Sequence, residues 1–489
     1  MKSAYSRKKI NLIQNYLNYQ NDDSILKKIS INTLLFLSKN FPLMRSINIV
    51  CGDGNKGMHG YALAYYNNNK SIKYNIYYTK FPEKNFIFSK MKQNILKSSN
   101  NYFFKLTKKT QFCGDLIIDA LIETSNIKKI QGIIKSTIIN INKSKLIIIS
   151  LNTPSGINSN TGSILDIAVK ANITLVFFAL RKGLFTGSAL DYTGNIILKL
   201  ENKKIYKKIK PSVYILPKNA IGKQLPKRLK DSHKGSYGCV LVIGGDYGMG
   251  GAVRLSSEAS LRIGAGLVII ATRKEHANFI HNSLPEAIVY GISHCYELKS
   301  LLKKATSIVL GPGLGKTIWA RKIFQYILNN TSKKSIVIDA DALNILSDYK
   351  KIFFHSSKKW ILTPHPGEAG RLLKQPTFKI QIDRFKAVKN IQRKYNCIVI
   401  LKGAGTLIQT CKKKLYICYS GNPGMSSGGM GDVLSGILGG LLAQKIPNQH
   451  ASRIGVQLHS YIADIIAKKN GERGLLASDL FKLIHYYCN

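Results

Sequence analysis

The sequence predicts an α/β protein of two domains. Three observations carry this. The chain has 489 residues, long for a single hydrophobic core. Short β-branched runs recur along it, each closing on Gly, Asp, His or Pro and each set off from the next by a helix-length stretch. That is the pattern of a largely parallel sheet whose ligands sit at the carboxyl ends of its strands. The rhythm breaks once, at ENKKIYKKIKPSVYILPKNAIGKQLPKRLK (Glu201–Lys230), which is rich in Lys, holds three prolines and keeps no period. The boundary is placed there, giving domains at 1–215 and 220–489.

Composition bounds the function. Hydrophobic residues at 45% with 20% charged residues are ordinary for a globular protein, but the formal net charge of +48 is not. Such a charge suits nucleic acid or an anionic membrane surface. Here the lysines form no single arm or face, and Lys, Asn and Ile are abundant even in runs that read as buried strands. Compositional drift is therefore the better account, and no nucleic-acid partner is expected, although the charge would help attract a multiply phosphorylated ligand. The eight cysteines are scattered with no CxxC pair, which argues against a zinc site or a disulfide framework and for a reducing compartment. No apolar run reaches membrane-spanning length. The expectation is a soluble cytoplasmic protein.

In the first half, residues 1–45 are polar and weakly patterned, with helical character in SILKKISINTLLFLSKN. The strand SINIV then enters CGDGNKGMHGYALAYY, where Gly52, Gly54 and Gly57 match GxGxxG. Alone this is a weak signal. The acidic residue that a dinucleotide fold wants about twenty positions on is not evident, so the stretch reads as a ligand or phosphate turn and not as a redox cofactor site. DLIIDALIET (Asp115–Thr124) reads as a buried strand ending in Asp119. KLIIISLNTPSGI reads as a strand followed by a turn, and ITLVFFAL (Ile173–Leu180) as one further strand.

GDGNKGMHGY, DALIET, NTPSGINSNTG and the ALRKGL–DYTG stretch together resemble the N-terminal domain of the NAD(P)H-hydrate epimerases. The resemblance implies a Rossmann-like sandwich holding a potassium ion and the hydrated nicotinamide. It places Asn55, His59 and Asn152 at the substrate and makes Asp119 and Ser155 potassium ligands. Lys56 stands where the family has a potassium-ligating asparagine. His59 and Asn152 replace aspartates, and Glu123 replaces a glycine. Two readings stay open. The site has lost its chemistry and the domain remains as a packing partner, or it is rewired, with the Lys56 ammonium near Asp119 in place of the potassium charge and His59 as a proton carrier.

The second half is organised around SGNPGMSSGGMGDVLSGILGG (Ser420–Gly440). Gly428, Gly429 and Gly431 free the backbone N–H groups to crowd round an anion at a helix N-terminus. Asp432 follows at once. A carboxylate there would repel a phosphate unless it takes a proton from a hydroxyl attacking phosphorus; the alternative is an Asp capping the helix. Other turns fall at successive strand ends. GGDYGMGGA (Gly244–Ala252) and GPGLG (Gly311–Gly315) suit close backbone approach to a flat or phosphorylated ligand, and equally a tight strand–helix turn. TPHPGE (Thr363–Glu368) fixes His365 between two prolines. KGAGT (Lys402–Thr406) offers a cation, two glycines and a hydroxyl to a nucleotide phosphate, without the spacing of a P-loop.

With KGSYGCVLVIGG, GAVRLSSEASLRIGAG and DADALN, these motifs resemble the ADP-dependent NAD(P)H-hydrate dehydratases, a branch of the ribokinase-like kinases. The fold implied is a ribokinase-like α/β domain. The substrates implied are the hydrates of NADH and NADPH (NADHX, NADPHX), whose hydroxyl is phosphorylated and lost as phosphate. Asp432 would be the general base. Ala252, Gly313, His365 and Asp432 would contact the hydrate. Lys402, Gly403, Ala404, Gly405, Thr406 and Gly431 would hold the nucleotide, ADP or ATP, with Mg2+ on its phosphates. A homo-oligomer is expected. A kinase for a small hydroxylated vitamin precursor is the alternative within the same fold.

Overall fold

A computed structural model describes residues 1–17, 23–67, 71–81, 86–98, 100–124, 129–201, 208–218, 224–331, 334–349 and 357–488. Parts of the segment read as a linker, 202–207 and 219–223, lie outside the described residues. The chain divides into two compact units, Ser3–Tyr214 and Ile215–Asn489, the latter taking Met1–Lys2.

In the first unit the strands lie in the order Asn101–Lys105, Lys73–Tyr78, Ser46–Cys51, Leu116–Ala120, Ile147–Leu151, Ile173–Phe177 and Asn195–Lys199, all parallel. The period of two sorts their side chains to two faces. Ile47, Ile49, Leu116 and Ile118 pack with Ile25, Ile29 and Leu37 of the helix Asp23–Asn40. Val50, Ile117 and Ile148 pack with Ile138 and Ile141 of the helix Gly132–Lys143. The expected strand Ile173–Leu180 is shorter. Phe178 turns into the left-handed region at φ 64°, so the strand ends at Phe177 and Leu180–Arg181 forms a separate short one.

Gly52 and Gly57 serve packing. A Cβ on Gly52 would overlap the carbonyl oxygen of Leu121, and one on Gly57 the carbonyl oxygen of Gly52. Gly60 is pressed in the same way, with a Cβ 2.6 Å from Cys51 Sγ. The helix Asn55–Tyr65 lies on the sheet at a distance that only missing side chains permit. Gly54, its N-cap, is open.

In the second unit the strands run Ile288–Gly291, Leu267–Thr272, Cys239–Ile243, Ser307–Leu310, Ser335–Ile338, Trp360–Leu362 and Ile398–Leu401 in parallel. The antiparallel strands Thr406–Gln409 and Leu415–Cys418 extend the sheet. The carboxyl ends of the parallel strands therefore share one edge, where the glycine-rich turns follow. The helix Met430–Ala443 packs closely on Gly250–Arg262. Gly436 faces the Ser256 carbonyl with no room for a Cβ, Ser260 Oγ donates to the Gly436 carbonyl at 3.0 Å, and Ser307 Oγ donates to that of Gly439 at 2.8 Å. The small residues of SGILGG are what this approach requires. All eight cysteines are free thiols, and no helix among the described residues is long and apolar enough to cross a membrane.

Candidate active sites

The dehydratase-like site forms at the carboxyl edge of the second sheet. Gly429 caps the helix Met430–Ala443 with φ 85°. The first amide of this helix bonded within the turn is that of Val433, which donates to the Gly429 carbonyl at 3.0 Å. The N–H groups of Met430, Gly431 and Asp432 are thus the orphan donors of a helix N-terminus. Asp432 occupies the third helical position and no side-chain cap is made there, so the capping reading of this carboxylate does not hold.

Its surroundings explain its acidity. Lys402 Nζ lies 2.8 Å from Asp339 Oδ1 and 3.9 Å from Glu368 Oε2. A Cβ on Gly431 would sit 3.3 Å from that ammonium and 3.7 Å from Asp339 Oδ2, so these charges border the turn that carries Asp432. Burial pushes the Asp432 carboxyl up to about 7; Asp339 adds to the rise and Lys402 opposes it. Glu368 is likewise raised by burial to about 7, with Lys402 opposing. Lys402 itself is held above its usual value, because Asp339 and Glu368 outweigh the burial that would lower it. Three carboxylates thus share one lysine at the mouth of an amide-lined anion site. Among the described residues no group of three or more His, Cys, Asp or Glu side chains is arranged to hold a metal ion, and Asp339 is already paired with the Lys402 ammonium, so magnesium would arrive on the nucleotide phosphates and not on a protein cage.

His365 caps the helix Pro366–Leu373: its Nδ1 accepts from the N–H of Gly367 at 3.0 Å and of Glu368 at 3.4 Å, and Glu368 Oε2 accepts from the His365 N–H at 2.7 Å. Nδ1 is therefore the acceptor and Nε2 carries the proton. Burial, Lys402 and Arg371 lower its pKa, keeping the ring neutral. Its Nε2 lies 3.4 Å from Glu368 Oε1, and the side chain is half-exposed.

Ala252 and Gly313 meet. A Cβ on Gly313, whose φ is 56°, would lie 3.1 Å from Ala252 Cβ and 2.6 Å from the Met249 carbonyl oxygen. The two loops are stitched by the Asp246 N–H, which donates to the Gly313 carbonyl at 2.6 Å. Asp246 in turn accepts from Arg273 Nε at 2.8 Å and Thr317 Oγ1 at 2.7 Å.

The KGAGT turn is held from within the protein by Arg384, 1% exposed. Its guanidinium donates to the carbonyls of Leu401 at 3.3 Å and Lys402 at 3.0 Å and to Gln381 Oε1 at 2.9 Å. Gly403 (φ 123°) passes over it, where a Cβ would be 3.1 Å from Arg384 Nη1. Thr406 Oγ1 turns back to the Gly403 carbonyl at 3.0 Å. Sequence reasoning did not single out Arg384, which no motif marks. Asp339 and Glu368 lie within DADALN and TPHPGE; their acidity among glycine-rich turns is the one local signal of a place at the site.

In the first unit, Asn55 opens its helix and is exposed, whereas His59 and Asn152 are buried. Both converge on Phe177. The His59 ring lies edge-on at 6.5 Å between centroids, and Asn152 Oδ1 accepts from the Phe177 N–H at 3.2 Å. Asn152 has φ 64°, a conformation that Asn tolerates better than most residues. Burial, with Arg181 and Lys56, drops the His59 pKa to about 3. The ring is therefore neutral across the working range, which does not suit the proton-carrier role weighed from sequence. Asp119 and Ser155 do converge, but around Lys56: its Nζ donates to Asp119 Oδ2 at 2.8 Å, to the Thr153 carbonyl at 2.8 Å and to Ser155 Oγ at 2.9 Å. The residues expected to ligate potassium are occupied by an ammonium, so they do not fit an ion as well.

Comparison with known proteins agrees with this division. The NAD(P)H-hydrate dehydratase family model matches residues 240–486, and the model described as YjeF-related protein N-terminus matches residues 23–183. The protein is thus a two-part enzyme with a dehydratase-type second half. It is 40% identical to the bifunctional NAD(P)H-hydrate repair enzyme Nnr of Coxiella burnetii, over 92% of this chain and 91% of that one. It is 38% identical to the Escherichia coli enzyme of the same description, over 77% and 72%. A ribokinase-like superfamily protein of Enterococcus faecalis superposes with a TM-score of 0.53 at 30% identity, covering 57% of this chain and 95% of its own. The chain belongs to the family of bifunctional NAD(P)H-hydrate repair enzymes.

Proposed function

We propose that the second half, 220–489, dehydrates the S epimer of NADH or NADPH hydrate in a nucleotide-dependent reaction, and that the first half, 1–215, is of the epimerase type and interconverts the R and S hydrates. The observation that carries the first part is the Asp432 carboxylate, poised near neutrality beside Asp339 and Lys402 at an open helix N-terminus. Asp432 takes the proton of the hydrate's hydroxyl as that oxygen attacks the terminal phosphorus of ADP. The amides of Met430, Gly431 and Asp432 stabilise charge on the transferred group. The ring C–O bond then breaks, phosphate leaves and a proton is lost to solvent from the adjacent ring carbon, which restores the ring double bond, so the products are NAD(P)H, AMP and phosphate. Ala252, Gly313 and the exposed edge of His365 line the hydrate side, and KGAGT with Gly431 the nucleotide side. Magnesium carried on the nucleotide would neutralise phosphate charge. The vitamin-kinase alternative is set aside, since the match over 240–486 is to the dehydratases.

In the first half the Asn152 amide cannot take a proton, and burial makes the His59 ring a weak base, so epimerisation is expected to be slow. With both epimers, ADP and Mg2+, NADH absorbance should return in two phases, the S hydrate first and the epimerised R hydrate second, and both should be lost when ADP is omitted. A second phase no faster than spontaneous epimerisation would show the first site to be inert.

A further inference from the structure

The Lys56–Asp119 pair takes no part in the dehydration chemistry. Both side chains are sealed from water, 1% and 0% exposed. Three acceptors surround the ammonium: the Asp119 carboxylate, the Thr153 carbonyl and the Ser155 hydroxyl. A lysine has three N–H donors, and each finds an oxygen within 2.9 Å. Asp119 is equally satisfied. Its Oδ2 also accepts from Ser150 Oγ at 2.8 Å and the Ser155 N–H at 2.9 Å, and its Oδ1 from Ser155 Oγ at 2.6 Å and the Leu121 N–H at 3.1 Å. A carboxylate, a main-chain carbonyl and a hydroxyl are also the oxygens that a hard cation selects. One negative charge is met by one positive charge, and the space between the oxygens is filled.

We infer that the Lys56 ammonium is a covalently attached replacement for the monovalent cation, so that the first half keeps its site assembled without potassium. Burial lowers the Lys56 pKa while Asp119 opposes the fall. Lys56 and the Ser155 hydrogen bonds hold Asp119 below its usual value against burial. The arrangement follows from local sequence. Lys56 lies in the first turn of Asn55–Tyr65, Asp119 near the end of the adjoining strand Leu116–Ala120, and Thr153 and Ser155 in the turn after Ile147–Leu151. The arm of a lysine spans what an asparagine would bridge through an ion.

This inference rests on the epimerase-type reading only for the choice of potassium as probe. Its test reads folding, so an inert epimerase and a mistaken cation assignment give different results. Full-length protein is melted in choline chloride and in KCl at equal ionic strength, with potassium titrated. The wild-type midpoint of the first half should not move with potassium. Lys56→Asn should melt lower in choline chloride and recover progressively as potassium is added, because an ion that binds only the folded state stabilises it by mass action. A potassium-specific rise in the wild-type midpoint would overturn the inference, as would a folded Lys56→Asn protein indifferent to potassium. Should Lys56→Asn not fold, calorimetric titration of wild-type protein with KCl still decides: heat that saturates overturns the inference, and none supports it.

Discussion

Replacing Asp432 with Asn separates catalysis from stability, because the structure gives the two effects opposite signs. The carboxyl is raised to about 7 by burial and by Asp339, with Lys402 opposing. A base with that pKa is about half ionised at pH 7 and about 1% ionised at pH 5, so the wild-type rate should rise roughly 50-fold between them. Asp432→Asn should lower the rate by about 10²–10⁴ and abolish this limb. Stability moves the other way. The folded pKa lies above the unfolded value of about 3.9, so the folded state binds more protons between about pH 4 and 7, and this group's contribution to stability falls as pH rises through that window. Discounted for its partial exposure, removing the charge should stabilise the protein by on the order of 1–3 kcal/mol at pH 8 and by nothing near pH 3. The assay is ADP-dependent return of NADH absorbance from the S hydrate, run beside urea melts at the same pH values. A variant within threefold of wild type, or a wild-type rate flat from about pH 5 to 7, would refute the role of Asp432 as base.

Asp339→Asn removes the neighbour that raises Asp432 and frees Lys402 to act on it, so the ascending limb of the pH–rate profile should move to lower pH by about one unit. Arg384→Leu leaves the carbonyls of Leu401 and Lys402 without their donor; urea melts should show a loss of about 2–4 kcal/mol, with a raised nucleotide KM. His365→Ala should cost about 1 kcal/mol in the same melts through the lost helix cap, whereas His365→Asn, a good N-cap, should restore most of it.

The sheets were legible because β-branched runs ending in glycine-rich turns leave few other folds open. The turn at Gly428–Asp432 was legible for the same reason: glycines before a helix expose its amides. The partners of Asp432 were not. Asp339, Glu368 and Lys402 come from three separate strand ends, and no local spacing says that one ammonium will serve several carboxylates. Lys402 read as a phosphate ligand; in the protein its Nζ is turned to Asp339. Gly52 and Gly57 show a further limit. A glycine that admits a ligand and one that admits a neighbouring carbonyl look alike in sequence, and here the carbonyl is what the structure provides. Lys56 could be paired with Asp119 from charge alone, but the enclosure of its ammonium by Thr153 and Ser155 depends on how the turns fold over it.

The most direct test uses purified S hydrate, full-length protein, ADP and Mg2+, with NADH, AMP and phosphate measured together. The account predicts one AMP and one phosphate for each NADH regained, and no recovery without nucleotide. A stable phosphorylated hydrate, or no ADP-dependent return of NADH, would contradict it.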